Sequence, residues 1–148
     1  ITRCIEKGVN VIEHDLDAKG LKTFADHQFD TVIMTQALQA VRRPDEMLEE
    51  MLRLGQQGIV TFPNFGYWRC RHYLLWYGKM PMSKTLPHTW YNTPNIHLCT
   101  FKDFEILCQQ KGIKILNRTV VDSQFSQSRF AKMWPNLFAE FAVYRIAR

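Results

Sequence analysis

Five stretches of the chain have the residue pattern of β-strands. Three of them are apolar runs: Val9–Glu13, Thr31–Met34 and Gly58–Phe62. The first is short and rich in β-branched residues, and the other two are nearly continuous, as in parallel strands covered on both faces of a sheet. The other two lie near residues 113–121 and 138–146, and in the last one apolar and wetter positions alternate. Such alternation is typical of an antiparallel strand with one face toward solvent. We therefore expect three parallel strands followed by an antiparallel pair.

A helix is predicted between the second and third apolar runs, at about residues 44–54. Pro44 suits a first helical turn, apolar residues recur every three or four positions, and Gly55 ends the pattern. On the polar side of this helix, Glu49 has the spacing to pair with Arg53.

A second helix is predicted at about residues 100–111. Thr100 and Asp103 have the spacing of a capping box, and Gly112 follows the last turn. Strands and helices thus alternate before an antiparallel return. This order predicts an α/β fold built on an open sheet.

Residues 64–95 interrupt that alternation. A short helix is predicted over residues 67–77, and glycine and proline residues break the remainder. Long loops inside compact domains tend to be functional. We expect an aromatic insert or lid over one end of the sheet, with eight aromatic side chains: Phe65, Tyr67, Trp68, Tyr73, Trp76, Tyr77, Trp90 and Tyr91.

The length of 148 residues is enough for one domain with one buried core. The formal net charge is +5, but the basic residues are scattered, so we expect no nucleic-acid partner. No apolar run approaches the roughly 20 residues that a membrane helix needs. The first residues do not have the pattern of a signal peptide. We expect a cytoplasmic protein without a membrane partner.

The four cysteines predict reduced, buried thiols of a cytosolic protein; they are Cys4, Cys70, Cys99 and Cys108. A zinc site is the alternative, since residues 70–72 read Cys-x-His and residues 97–99 read His-x-Cys. The spacing of one residue differs from the two to four residues of structural zinc knuckles. We therefore expect no metal.

Polar residues follow the predicted parallel strands at the end where open α/β sheets bind ligands. They lie at residues 15–17, 35–41 and 63–66. The Asp15 carboxylate could accept a hydrogen bond from an adenine amino group, and Leu16 could offer an apolar surface. Asp15 could equally be a helix cap or a turn former. The residues alone leave both roles open.

Four blocks of sequence resemble one family closely. They read Val-Ile-x-x-Asp-Leu-Asp at residues 11–17, Phe-Asp-x-Val-Ile-x-x-Gln-x-Leu-Gln-Ala-Val-Arg-Arg-Pro-Asp at 29–45, Phe-Pro-Asn-Phe-Gly-x-Trp-Arg at 62–69 and Trp-Tyr-Asn-Thr-Pro-Asn-Ile-His-Leu-Cys-Thr at 90–100. In these blocks the chain is similar to the MetW proteins of methionine biosynthesis. The second and fourth blocks are far more particular than anything shared by methyltransferases at large.

The resemblance implies a Rossmann-like class I methyltransferase fold that depends on S-adenosylmethionine. We expect residues 1–148 to be the C-terminal two-thirds of one such domain, without its first strands and its glycine-rich loop. The strand order 3-2-1-4-5-7-6 of that fold would place two further strands between Val9–Glu13 and Thr31–Met34. These two strands should therefore not pair with each other.

The resemblance also implies where a cofactor would lie. Asp15 and Leu16 would lie by the adenine of S-adenosylmethionine, and Gln36, Ala37 and Leu38 would lie beside its methionine end. The cofactor is expected for the full-length family member. The part of the chain in hand has no counterpart of the glycine-rich loop, so we do not expect it to hold the cofactor alone.

Two functions follow from the resemblance. The first is to support a homoserine O-acyltransferase through complex formation, with residues 64–95 as the docking surface and a homodimer as a further option. The second is methylation of a small molecule. The catalytic residues stay open, because Gln36 and Gln39 do not titrate and only His72, His88 and His97 could act as bases. For His97, which precedes a helix cap, a structural hydrogen bond is favoured.

Overall fold

The computed structural model describes residues 2–17, 21–83, 86–121 and 133–148. Its elements, in chain order, are α1 (Thr2–Glu6), β1 (Phe29–Thr35), α2 (Pro44–Leu54), β2 (Gly55–Pro63), α3 (Trp68–Tyr77), α4 (Phe101–Gln110), β3 (Lys114–Val121), α5 (Pro135–Phe138) and β4 (Phe141–Ala147). The four strands form one sheet in the order β1-β2-β4-β3. β1 and β2 are parallel, and β4 is antiparallel to both β2 and β3. The predicted α/β open sheet with an antiparallel return is confirmed.

Helix α2 has the predicted bounds, because its end signals are local. Pro44 opens its first turn, and Gly55 follows its last residue in an extended conformation. A side chain at Gly55 would begin 2.8 Å from Cγ2 of Val32. Glycine at that position therefore allows β2 to start close against β1.

The predicted ion pair between Glu49 and Arg53 is wrong. Arg53 instead donates to Glu50 at 3.0 Å and to Asp26 at 2.6 Å. Glu49 accepts from Lys111 at 3.1 Å. The reason is tertiary, because Arg53 faces the loop before β1 and Glu49 faces the end of α4.

One face of the sheet carries the hydrophobic core. Phe62 of β2 and Tyr144 of β4 are fully buried, and their rings stack 5.9 Å apart. Phe104 of α4 lies 5.0 Å from Phe62 and 4.6 Å from Tyr144, measured between ring centroids. The buried side chains of α2, among them Leu48, belong to the same core. Helices α2 and α4 therefore cover the same face.

The opposite face of β1 lies open. Ile33 is 63% exposed and Phe29 is 39% exposed, whereas Met34, on the core face, is 8% exposed. The sequence predicted a strand covered on both faces, and this prediction is wrong for the described residues. An apolar run indicates that both faces of a strand can be buried, but it does not show which other element would pack on each face.

The strand predicted at Val9–Glu13 is also absent. These residues are exposed and lie outside any helix or strand. Among the described residues, β1 has β2 as its strand partner, and nothing pairs with its other edge. A strand exists only through a hydrogen-bonded neighbour. Because no strand forms at Val9–Glu13, the expected separation of two strands stays a prediction.

The C-terminal strand begins later than the sequence suggested. Residues up to Phe138 form the short helix α5, and the strand runs from Phe141. Ala139 and Glu140 lie between α5 and this strand. Their carbonyls accept hydrogen bonds from Asn64 rather than from a neighbouring strand.

No helix within the described ranges has the length and apolar character needed to cross a bilayer.

Candidate functional site

The polar loops that follow β1 and β2 meet at the carboxyl edge of the two parallel strands. Thr35 and Thr61 are paired at the end of the ladder. The N–H of Gln36 donates to the carbonyl of Thr61 at 3.0 Å and to its hydroxyl at 3.1 Å. Gln36 has a φ of +50°, a conformation that is uncommon outside glycine. The loop after β1 is thus held in a tight, defined turn.

The acidic segment after residue 14 docks against the same loop. The N–H of Arg42 donates to the Asp17 carboxylate at 2.7 Å, and the two side chains form an ion pair at 3.7 Å. Asp15 accepts from the N–H of Asp17 at 2.9 Å. Asp15 therefore acts as a turn former in this structure, which is one of the two roles that the sequence left open.

Gln39 is a buried residue of this edge, and half-buried His97 binds to it. Gln39 is 2% exposed, and its amide nitrogen donates to the Pro63 carbonyl at 3.4 Å. Its side-chain oxygen has no hydrogen-bond partner. The N–H of His97 donates to the Gln39 carbonyl at 3.0 Å, and its Nε2 lies 3.2 Å from the Arg42 carbonyl. His97 has the structural hydrogen bonds that were favoured for it.

Asn64 organises the loop after β2, a role that the sequence reading missed. Its side-chain nitrogen donates to the carbonyls of Ala139 at 2.8 Å and Asn136 at 3.1 Å. Its side-chain oxygen accepts from the N–H of Gly66 at 2.9 Å. Asn64 is 2% exposed. An asparagine directly after a strand-ending proline was the available signal.

The predicted cofactor residues differ in what they present. Asp15 and Gln36 are exposed, and Leu16 is 37% exposed. Ala37 is half-buried. Leu38 is 3% exposed and packs in the core, so only its backbone could face a ligand.

The aromatic insert is largely exposed. Helix α3 lies within one residue of the predicted range 67–77. The most exposed large side chains of the insert are Leu75 at 81%, Trp90 at 75%, Tyr91 at 74%, Trp76 at 72% and Tyr77 at 62%. A cavity of about 330 Å³ lies between the residues that flank α3, and Phe65, Met80, Leu86 and Leu98 supply much of its wall.

The four cysteine thiols differ in how deeply they are buried. Burial, followed by the charge of Asp103, raises the pKa of Cys99 to about 12. Burial, followed by the charge of Glu105, raises the pKa of Cys108 to about 12. Cys4 is exposed. Within the part of the chain that the structure describes, no three His, Cys, Asp or Glu side chains are grouped to hold a metal ion.

Comparison with known proteins adds a family to this geometry. The family model described as methionine biosynthesis protein MetW matches residues 1–146. The chain is 37% identical over 143 residues to the bifunctional methionine biosynthesis protein MetXA/MetW of Rhodopirellula baltica. That match covers 96% of this chain and 23% of the relative.

Solved structures with a similar fold include methyltransferases and a cyclase. A SAM-dependent methyltransferase from Aquifex aeolicus has a TM-score of 0.60 at 12% identity, covering 99% of this chain and 61% of that one. The [4+2]-cyclase SpnF has a TM-score of 0.61 at 16% identity, with the same coverages of 99% and 61%. These likenesses establish a Rossmann-like methyltransferase fold. They do not select a reaction, because one fold hosts several chemistries.

Proposed function

Because this chain belongs to the MetW family of methionine biosynthesis proteins, we propose that it supports a homoserine O-acyltransferase by forming a complex with it. The relative from Rhodopirellula baltica is named as a bifunctional protein that joins MetXA and MetW. Two activities joined in one chain stay at a high effective concentration. The name therefore favours physical association between MetW and another protein of the same pathway.

The observation that carries the proposal is the exposure of the aromatic insert. Trp76, Leu75 and Trp90 are each more than 70% exposed, while the core is filled by other residues. Tyr and Trp are enriched among the residues that dominate protein interfaces. Several large apolar side chains left exposed within one segment of a folded protein favour an interaction site.

The experiment is co-purification of the two proteins. A tagged homoserine O-acyltransferase is expected to retain this protein in a defined ratio through size-exclusion chromatography. An acyltransferase that elutes alone, at concentrations of both proteins well above micromolar, would contradict the proposal.

A second function is methyl transfer to a small molecule, favoured by the cavity in the insert. His88 lies on the wall of this cavity, and an imidazole is the side chain most often used as a general base. His97 is engaged by the Arg42 carbonyl, and Gln39 carries no titratable group. His88 is therefore the residue to replace, with methylated product as the readout.

We propose that the predicted cofactor residues contact one side of S-adenosylmethionine. Leu16 is exposed and Ala37 half-buried, so both have apolar surface to offer, and Asp15 has an exposed carboxylate. Gln36 and Leu38 would contribute through the backbone turn after β1. When bound, the cofactor supplies an activated methyl group.

A further inference from the structure

The cavity beside α3 has a mostly apolar wall. It is lined by Phe65, Met80, Pro81, Leu86, Trp90, Ile96 and Leu98, while His88, Thr89, Thr93 and Asn95 add polar side chains. No Asp, Glu, Lys or Arg is among its described lining residues. The larger apolar share of the wall suits an apolar group.

The cavity lies at the low end of the volumes of ligand sites, which run from roughly 300 to 1,000 Å³. Its volume of about 330 Å³ is enough for one large apolar side chain. Exposed apolar residues extend the wall outward, since Trp90 is 75% exposed and Ile96 is 57% exposed. A pocket within an exposed apolar surface is the usual setting of an interface hot spot.

The sequence segment that forms the cavity carries charges of one sign. From Asn64 to Lys102 the sequence contains no Asp or Glu, and its basic residues are Arg69, Arg71, Lys79, Lys84 and Lys102. Complementary potentials fix the register of partners and raise their association rate. The partner surface that matches this segment is therefore apolar at its centre and acidic around it.

From these observations we infer that the cavity between Phe65 and Leu98 receives one large apolar side chain from an acidic segment of the acyltransferase. This inference rests on the complex proposed above. It adds the chemistry of the contact, with an apolar anchor seated among Met80, Leu86 and Trp90. A basic, aromatic surface could also face an anionic membrane. The concave pocket favours a protein side chain, because a bilayer surface has no projecting group to fill it.

The test uses three variants at Ile96, a wall residue exposed enough to tolerate replacement. Ile96→Trp narrows the cavity, and Ile96→Asp adds a negative charge at its mouth. Ile96→Lys adds a positive charge at the same position and is the matched control for Ile96→Asp. Binding of the full chain to purified homoserine O-acyltransferase is measured by isothermal titration calorimetry. Thermal unfolding checks that each variant is folded.

We expect Ile96→Trp to weaken binding at least tenfold, and Ile96→Asp to weaken it at least tenfold more than Ile96→Lys. Binding of all three variants within twofold of the wild-type chain would overturn the cavity inference and leave the complex intact. Failure of the wild-type chain to bind would overturn the complex itself. A third outcome is that the wild-type chain sediments with phosphatidylserine vesicles, that Ile96→Asp does not, and that neither binds the acyltransferase. That outcome would overturn both the cavity inference and the complex, in favour of membrane binding.

Discussion

The backbone N–H of His97 donates a 3.0 Å hydrogen bond to the carbonyl of Gln39, and this bond joins the end of the aromatic insert to the loop after β1. The His97 ring reaches the Arg42 carbonyl further along the same loop. Arg42 in turn holds Asp17. Three segments that are distant in sequence are thus fixed to one another at the carboxyl edge of the sheet.

The burial of Gln39 predicts a large effect of charge at that position. In Gln39→Glu, a carboxylate would replace an amide that is 2% exposed and that donates to the Pro63 carbonyl. We expect the free energy of unfolding at pH 7 to fall by about 3 kcal/mol in urea titrations. The matched control is Gln36→Glu at an exposed site, with a change of about 0.5 kcal/mol or less.

The same variant has a predicted pH dependence. Burial raises the folded-state pKa of the new carboxyl above its unfolded value of about 4.3. The destabilisation should therefore be small below about pH 4 and should grow as the pH rises. Equal stability of the two glutamate variants at pH 7 would show that Gln39 is not buried as described.

Tyr144 gives a second stability prediction. Its hydroxyl donates to Glu105 at 2.7 Å, and Arg118 donates to the same oxygen at 2.9 Å. Tyr144→Phe removes one hydrogen bond to the Glu105 carboxylate, which keeps its hydrogen bond from Arg118. We expect a loss of about 1 kcal/mol and a Tm lower by about 2–4 °C. Tyr73→Phe, at an exposed ring on α3, should leave the Tm unchanged.

The wild-type chain should also lose stability at high pH through Tyr144. Burial, followed by the hydrogen bond to Glu105, raises the pKa of the Tyr144 phenol above its ordinary value of 10. A raised folded-state pKa gives stability that is present below the unfolded pKa and is lost as the pH rises above it. The difference between wild type and Tyr144→Phe should therefore shrink above about pH 10. A difference that widens there would contradict this assignment.

The thiols provide a chemical test of burial. Burial raises the pKa of Cys99 and of Cys108 to about 12, so both thiols should react slowly at pH 8, because the thiolate is the nucleophile. Buried Cys70 also has a raised pKa. Iodoacetamide should label Cys4 in the native protein and all four thiols in urea. In Cys4→Ser the fast-reacting thiol should vanish, and labelling of Cys99 at the rate of Cys4 would contradict the fold.

Features set by neighbouring residues could be predicted from the sequence. The bounds of α2 follow from Pro44 and Gly55, and the Thr100–Asp103 capping box forms with both of its hydrogen bonds. Features that need a distant partner could not be predicted from the sequence. Val9–Glu13 has the composition of a strand but has no strand to pair with among the described residues, and Arg53 pairs with Asp26, which lies 27 residues away in the loop before β1.

The same distinction between local features and features that need a distant partner applies to the candidate site. The sequence located the polar loops at the strand ends, because the order of elements places them there. It could not show that the Leu38 side chain turns into the core or that Asn64 bridges to residues 136–139. Both depend on how distant segments pack.

Trp76 offers a direct test of the docking surface. It is 72% exposed on α3, and its ring stacks on His72 at 5.4 Å. We expect Trp76→Ala to weaken binding of the acyltransferase by about 2 kcal/mol, which is roughly thirtyfold in Kd. Ile106→Ala on α4, at a residue that is 51% exposed, is the control and should bind as the wild-type chain does. Equal affinity of Trp76→Ala and the control would remove α3 from the interface.

The acylation rate of purified homoserine O-acyltransferase, measured as this protein is titrated in, tests the central claim most directly. Mutual stabilisation in a complex predicts that the rate rises and saturates at a fixed molar ratio. Trp76→Ala should need a higher concentration to reach the same plateau. An acyltransferase that is active alone, with a rate unchanged across the whole titration, would contradict the proposed function.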